Sequence, residues 1–345
     1  MHPPVRLPAS LRRSNLSRRS ALGMISSAAL TVSLLHTLPL SAEVPRPEKA
    51  RRILFLGDSI TYAGTWVAWV ETWFRRQYPE ASTEFINLGL PSETVSGLSE
   101  PGHAGGSFPR PDLHERLGRA LDQVKPDLVI ANYGMNDGIY FPYSDERANR
   151  HYDGLRRLHA ASVAAKADII HLTPPTFDPL PLRGKTLPAG RDSYPNPFEG
   201  YDDVLHRYSQ WLLAQRQNGW TVGDVHGPMA THLANRRKSD PAYVLAGDGV
   251  HPGPVGHWIM ARELLRVWGA PNSIVDAESP DAFLDSHPKG RQIADLVTRR
   301  QNLLRDAWLS SVGHQRPGMG KGKPLPEATA EAQKLLTEIR TLTGR

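Results

Sequence analysis

The sequence has 345 residues, of which 39% are hydrophobic, which is enough for a buried core and excludes a wholly disordered chain. The net charge of +6 comes largely from five arginines in residues 1–42, whereas residues 43–280 carry 25 basic and 28 acidic side chains. No basic face is implied, so we expect no nucleic-acid partner. The absence of cysteine excludes a disulfide scaffold, a cysteine nucleophile and thiolate metal sites.

Residues 1–42 have the pattern of a secretory signal. An arginine-rich stretch, residues 12–19, precedes an apolar run over residues 21–40 and two small residues, Ser41 and Ala42. Residues 17–22 resemble a twin-arginine signal, which predicts export to the periplasm or the exterior by that route. An uncleaved membrane anchor is the alternative. Pro39 and several polar residues interrupt the run, which favours the signal, and we expect no stable membrane span in the mature chain.

The body of the chain alternates short apolar runs with amphipathic segments. The pattern predicts strands over residues 53–56, 83–88, 127–132, 169–172 and 221–225, and helices over residues 66–78, 112–124, 144–165, 201–217 and 253–268. Asp112 is positioned to cap the second of these helices. Strictly alternating strands and helices predict one α/β domain, residues 43–280, with a parallel sheet covered on both faces.

Residues 281–345 break this alternation and predict a C-terminal helical extension. Amphipathic helices are expected over residues 292–312 and 327–342, joined by a loop rich in Gly, Pro and Lys. A helical hairpin packed on the domain is the favoured interpretation. A lid or a dimerisation arm stays open, as does the oligomeric state.

Polar residues follow four of the predicted strands, where the carboxyl ends of a parallel sheet bind ligands. They are Gly57-Asp58-Ser59, Asn87-Leu88-Gly89, Gly134-Met135-Asn136-Asp137 and Asp248-Gly249-Val250-His251. Taken singly, Ser59 could cap a helix, Asn136 could form a turn and His251 could lie on the surface. Four such coincidences at one edge of a sheet favour a functional site.

The residue types indicate acyl chemistry. A serine hydroxyl needs a base, which His251 can supply, and Asp248 lies close enough in sequence to orient the imidazole ring. The backbone amides of Ser59 and Gly89 and the side-chain amide of Asn136 could stabilise an oxyanion. Gly97 is a weaker alternative to Gly89, because it lies farther from the strand end.

These four blocks, in this order, resemble the SGNH hydrolase family, also called GDSL esterases. The resemblance covers about residues 51–268. It implies a flavodoxin-like three-layer α/β/α fold with a five-stranded parallel sheet. It also implies Ser59 as nucleophile, His251 as base, Asp248 as its partner, and an oxyanion hole formed by Ser59, Gly89 and Asn136. The implied activity is hydrolysis of carboxylic esters without a metal or other cofactor.

Two aromatic segments are candidates for substrate contact: Tyr140 and Phe141, directly after the Asn136 block, and the long loop over residues 173–200. Aromatic rings near the site of an exported enzyme favour a glycan ester, and hence a carbohydrate O-acetylesterase. A lipid or aryl esterase, an acyltransferase on the same residues, and a non-catalytic carbohydrate-binding protein are the alternatives. No metal-ligand motif stands out among the histidines, and His226 and His257 are expected at the surface.

Overall fold

Five short strands build the centre of the molecule, for which a computed structural model describes residues 44–344. The strands are β1 (Arg52–Gly57), β2 (Glu84–Asn87), β3 (Leu128–Asn132), β4 (Asp168–Leu172) and β5 (Thr221–Gly223). All neighbours pair in parallel, in the order β2-β1-β3-β4-β5. This doubly wound order confirms the expected flavodoxin-like sheet. The predicted signal sequence lies outside the described residues.

Helices cover both faces of the sheet because the strands are apolar on both sides. In β1, Ile53 and Phe55 enter one hydrophobic cluster, whereas Leu54 and Leu56 enter the other. The larger helices are α2 (Thr65–Gln77), α3 (Leu113–Val124), α4 (Asp145–Ala164), α5 (Tyr201–Ala214), α6 (His226–Arg237) and α7 (Pro254–Val267), and a four-residue α1 (Ser59–Tyr62) precedes α2. Asp112 caps α3 as predicted, because its side chain accepts the N–H of His114 at 2.9 Å.

Helix α6 was not predicted from the sequence. Only three of its residues, His226, Met229 and Leu233, are buried, so its apolar period is too sparse to stand out. The expectation that His226 lies at the surface is therefore also wrong. His226 is the first residue of this unpredicted helix and is 3% exposed. His257 is also buried, on the inner face of α7.

The C-terminal extension is a helical hairpin packed on the domain. After the short helices α8 (Asn272–Val275) and α9 (Pro280–Asp285), α10 (Gly290–Val312) lies against α2 and β2, and α11 (Leu325–Thr343) packs on α10. A buried ion pair between Arg300 and Glu71, 2.8 Å, joins α10 to α2. The hairpin packed on the domain, which the sequence favoured, is therefore observed. Over residues 44–344, no helix is both long enough and apolar enough to cross a membrane.

Candidate active site

Ser59 lies at a tight turn between β1 and α1. A Cβ atom at Gly57 would come within 2.2 Å of Thr61 Oγ1 and 2.8 Å of the Asn132 carbonyl, so only glycine lets the turn close. Asp58 is the N-cap of α1, and its Oδ1 accepts the Ile60 N–H at 2.9 Å. The capping role considered for Ser59 thus belongs to Asp58, and the Ser59 hydroxyl stays available at the start of the helix.

A chain of hydrogen bonds joins Ser59, His251 and Asp248. Oγ of Ser59 lies 2.8 Å from Nε2 of His251, and Nδ1 of that ring lies 2.6 Å from Oδ2 of Asp248. The other carboxylate oxygen of Asp248 accepts the backbone N–H groups of Val250 and His251, which fixes the loop. Burial opposes ionisation of Asp248, but the hydrogen bonds from His251 and the loop outweigh it and lower the pKa of the carboxyl group.

The side chain of Asn136 is held at both ends. Its Nδ2 donates to the Glu93 carbonyl at 3.1 Å, and its Oδ1 accepts from the Tyr140 hydroxyl at 3.2 Å. These two partners define which end of the amide carries the hydrogens. The second Nδ2 hydrogen has no protein acceptor among the described residues, so it is available to a ligand.

The neighbouring Asp137 fastens the same loop that Asn136 touches. Its Oδ1 accepts the N–H groups of Val95 and Ser96 at 2.9 and 2.8 Å, and His151 lies 3.5 Å from the same oxygen. Burial would raise the pKa of Asp137, but His151 and the backbone donors hold it below its usual value. Asn136 and Asp137 therefore tie the loop after β2 to the loop after β3.

The buried side chain of Glu93 anchors the loop after β2. Its carboxylate binds Arg116 on α3 at 2.6 and 2.7 Å and accepts the Tyr133 hydroxyl at 2.6 Å. All three side chains are almost wholly buried. Burial dominates and raises the pKa of Glu93, although Arg116 and Tyr133 favour the charged form. No single motif in the sequence signals this network, because its members are 23 and 40 residues apart.

The backbone N–H of Gly89, which the sequence predicted as an oxyanion donor, is already bonded within the protein. This N–H donates to Asn87 Oδ1 at 2.8 Å, and a Cβ at Gly89 would lie 2.3 Å from the Tyr62 nitrogen. A glycine is thus needed for close packing on α1, and its amide already has a partner. Ser92, farther along the same loop, has φ of 69°, and within residues 44–344 its N–H makes no hydrogen bond.

Asp58 is the most perturbed acid beside Ser59. Complete burial raises its pKa to about 7, the nearby charge of Asp137 adds to the rise, and the Ile60 N–H opposes it. The carboxyl group faces inward to cap α1, so its charge state acts on the turn that carries Ser59.

Tyr140 and Phe141 have different surroundings. Tyr140 stacks on Tyr201 with ring centroids 4.8 Å apart and helps to line a cavity of about 340 Å³. The cavity is also lined by Glu100, His103, Ile139, Tyr194 and Asn196. The Phe141 ring instead packs on Tyr194, outside this lining. Both Ile139 (φ 49°) and Tyr140 (φ 60°) are left-handed, a costly conformation of the kind that clusters at functional sites.

This arrangement is chemically competent for acyl transfer. A serine hydroxyl bonded to an imidazole can pass its proton to the ring as the oxygen attacks an acyl carbon. A carboxylate on the far ring nitrogen then stabilises the imidazolium, and free amide hydrogens nearby can stabilise the oxyanion. In the described part of the chain, no group of three or more His, Asp or Glu side chains is placed to hold a metal ion.

A model of the GDSL-like lipase/acylhydrolase family matches residues 55–259, which is more than half of the chain. The chain belongs to this family. As a GDSL-like acylhydrolase, it is an ester-hydrolysing serine hydrolase, and the match includes Ser59, Asn136, Asp248 and His251. Helices α10 and α11 lie beyond the matched residues.

Solved structures similar to this GDSL-family chain include two enzymes. One is BT4096, a gut microbial diltiazem-metabolizing enzyme, at 20% identity and a TM-score of 0.48, over 64% of this chain and 47% of that one. The other is Axe2, an acetylxylan esterase from Geobacillus stearothermophilus, at 24% identity and a TM-score of 0.46, over 64% of this chain and 95% of that one. The chain thus spans about half the length of BT4096. The curated proteins contain no match to the sequence.

Proposed function

We propose that the protein is an exported carbohydrate O-acetylesterase that works through an acyl-enzyme on Ser59. The observation that carries the catalytic part is the hydrogen-bond chain from Ser59 through His251 to Asp248. In this proposal His251 accepts the serine proton as the acetyl carbon is attacked. It returns that proton to the departing sugar oxygen, and the acetyl group stays on Ser59 until water releases acetate.

Two donors of the proposed oxyanion hole are the Ser59 N–H and the free Nδ2 hydrogen of Asn136. We assign the third to the Ser92 N–H rather than to Gly89, whose amide is already bonded to Asn87. The segment that carries Ser92 is tied to the Gly57 carbonyl through the Leu90 N–H, 2.9 Å, and to Asn136 through Glu93. Both attachments support a position beside the serine.

The proposed substrate class is supported by the cavity next to Tyr140. It combines the aromatic faces of Tyr140 and Tyr194 with the polar groups of Glu100, His103 and Asn196. Aromatic faces and hydrogen-bonding groups side by side suit a sugar ring better than an alkyl chain, which has no group to bond to the polar side chains. The sequence of residues 1–42 supports export of the protein by the twin-arginine route.

The experiment compares hydrolysis rates on acetylated glycans and on simple chromogenic esters of increasing chain length. We expect the highest kcat/KM on acetylated glycans and a steep fall as the acyl chain lengthens. Asn196→Ala should raise KM for glycan acetates and leave the chromogenic acetate unaffected, whereas Asn235→Ala on α6 should change neither. A preference for long acyl chains would make the protein a lipid esterase. Transfer of acetyl to added sugar in place of water would make it an acyltransferase.

A further inference from the structure

A second cavity, of about 500 Å³, lies between the C-terminal helical hairpin and strand β2. None of its lining residues belongs to the candidate active site. Its volume is within the range of small-molecule sites, which is about 300–1,000 Å³. We call it the hairpin cavity.

One wall of the hairpin cavity is apolar. It is formed by Leu304 and Trp308 of α10 and by Leu325 and Leu336 of α11. Trp308 is only partly buried, so its ring borders the open space. Such a wall removes an aliphatic chain from water, and each methylene group that it buries strengthens binding.

One end of the cavity wall carries an excess of positive charge. Arg300 precedes Leu304 by one turn of α10, Arg340 follows Leu336 by one turn of α11, and Arg75 lies next to Arg340. The Ala81 carbonyl accepts from Arg75 at 3.1 Å and from Arg340 at 3.3 Å, so these two guanidinium groups are neighbours. One buried carboxylate, Glu71, binds both Arg75 and Arg300.

The charges near this wall do not balance. The other two charged residues of the lining, Arg52 and Glu84, pair with each other at 2.7 Å and cancel. Three guanidinium groups and one carboxylate, Glu71, therefore remain, and of the three guanidinium groups Glu71 binds only those of Arg75 and Arg300. Burial lowers the pKa of Arg75, and the neighbouring charges of Arg300 and Arg340 add to that effect.

Two hydrogen-bond donors at this wall are unused. The Nε atoms of Arg300 and Arg340 are buried and have no partner within residues 44–344. Arg300 is only 5% exposed, so water cannot readily satisfy its donor. A buried donor without an acceptor destabilises the protein, and a charged donor does so more strongly. The positive charge of Arg300 and Arg340 is therefore not offset by a hydrogen-bonded acceptor at Nε in the described part of the chain, which makes this end of the cavity attractive to an anion.

From this juxtaposition we propose that the hairpin cavity binds a small amphipathic carboxylate, with its head on Arg300 and Arg340 and its aliphatic chain along Leu304, Trp308, Leu325 and Leu336. The charge excess selects an anion, and the apolar wall selects one with a chain. A sugar lacks both features, and a bare inorganic anion would leave the apolar wall exposed to water.

The test is calorimetric titration of the full protein with octanoate, with two control probes. Acetate has the charge without the chain, and octanol has the chain without the charge. We expect saturable binding of octanoate at one site, and binding at least about tenfold weaker for each control, because each lacks one of the two contacts. Equal binding of octanol, or no binding of octanoate, would overturn the proposal.

Two variants and one matched control locate the site. Arg340→Gln removes the partly buried charge and should weaken octanoate binding about tenfold or more. Trp308→Ala should weaken octanoate but not acetate. Arg299→Gln removes an exposed arginine next to Arg300 in sequence and should bind octanoate like the unaltered protein. Unchanged binding in both Arg340→Gln and Trp308→Ala would overturn the assignment.

This site is independent of the proposed esterase activity. Ser59→Ala should abolish ester hydrolysis and leave octanoate binding intact. Displacement of octanoate from the Ser59→Ala protein by an ester substrate would mean that octanoate occupies the active site, and the proposal would be wrong. Failure of octanoate to bind would leave the esterase assignment untouched.

Discussion

The hydroxyl of Tyr140 lies 3.2 Å from Oδ1 of Asn136, and the Glu93 carbonyl lies 3.1 Å from Nδ2 of the same side chain. Tyr140 entered the sequence analysis as a substrate contact. In the fold it also selects the orientation of an amide that we place in the oxyanion hole. Its left-handed backbone, at φ of 60°, holds the hydroxyl at this position.

Tyr140→Phe should therefore reduce kcat more than it raises KM. The variant keeps the ring and its packing on Tyr201 but removes the donor that fixes the Asn136 amide. Loss of one neutral hydrogen bond corresponds to about 0.5–1.5 kcal/mol, or a fall in kcat of about 2-fold to 13-fold. Steady-state kinetics on a chromogenic acetate measures it, with Tyr143→Phe, in the same segment, as a control that should match the unaltered enzyme. A rise in KM alone would show that Tyr140 only binds substrate.

Asn136→Ala should have a larger effect, because it removes the donor itself. Loss of one oxyanion donor costs about 2.7–4 kcal/mol, so kcat should fall by about 10²–10³. The midpoint of the pH–rate profile should stay in place, because the lost group is neutral. A displaced midpoint with a normal plateau would assign Asn136 to the protonation chemistry of the site instead.

Asp58→Asn should remove part of the pH dependence of stability. Burial raises the pKa of Asp58 to about 7 in the folded protein, from an ordinary value of 3.8. A raised pKa favours the protonated form, so this contribution is present at low pH and is lost as the pH rises from about 4 to about 7. The loss amounts to at most about 4 kcal/mol. Asparagine keeps the oxygen that caps α1.

Urea unfolding of both proteins across this pH range measures the effect. The free energy of unfolding of the unaltered protein should fall relative to that of Asp58→Asn as the pH rises. Parallel curves would show that Asp58 ionises at its ordinary pKa despite its burial.

Arg116→Leu should destabilise the whole protein. It leaves the buried carboxylate of Glu93 with only Tyr133, and removal of one partner of a buried ion pair costs about 3–5 kcal/mol. Arg119→Leu, on the same helix, breaks a partly exposed pair with Glu115 and a hydrogen bond to the Val312 carbonyl, and should cost less than about 2 kcal/mol. Chemical denaturation compares the two. Equal losses would mean that the Glu93 network does not support the fold.

The strands and most of the larger helices were predictable because their signals are local. Strands β1 and β3 are nearly uninterrupted apolar runs, and α3 begins at a recognisable cap, Asp112. Helix α6 escaped because only three of its residues are buried. Ser59, Asp248 and His251 could be predicted because these three residue types, in this chain order, follow β1 and precede α7 as parts of recognisable sequence blocks.

The rest of the site depends on distances that the sequence does not contain. From the sequence alone, a glycine at position 89 is compatible with close packing or with an oxyanion donor. In the structure, Gly89 packs closely on α1 and its N–H is bonded to Asn87. The bond from Glu93 to Arg116 and Tyr133 joins residues far apart in the chain. The excess of arginines in the hairpin cavity likewise appears only once α10 and α11 are placed beside α2 and β2.

The most direct test of the account is the rate of hydrolysis of a chromogenic acetate by Ser59→Ala, with Ser286→Ala as the matched control. Ser286 lies after α9, where its hydroxyl donates to the Phe283 carbonyl, and it has no part in the proposed chemistry. Ser59→Ala should lose about 10⁴–10⁶ in kcat while unfolding with unchanged cooperativity, and Ser286→Ala should keep full activity. If Ser59→Ala retained a rate close to that of the unaltered enzyme, Ser59 would not be the nucleophile.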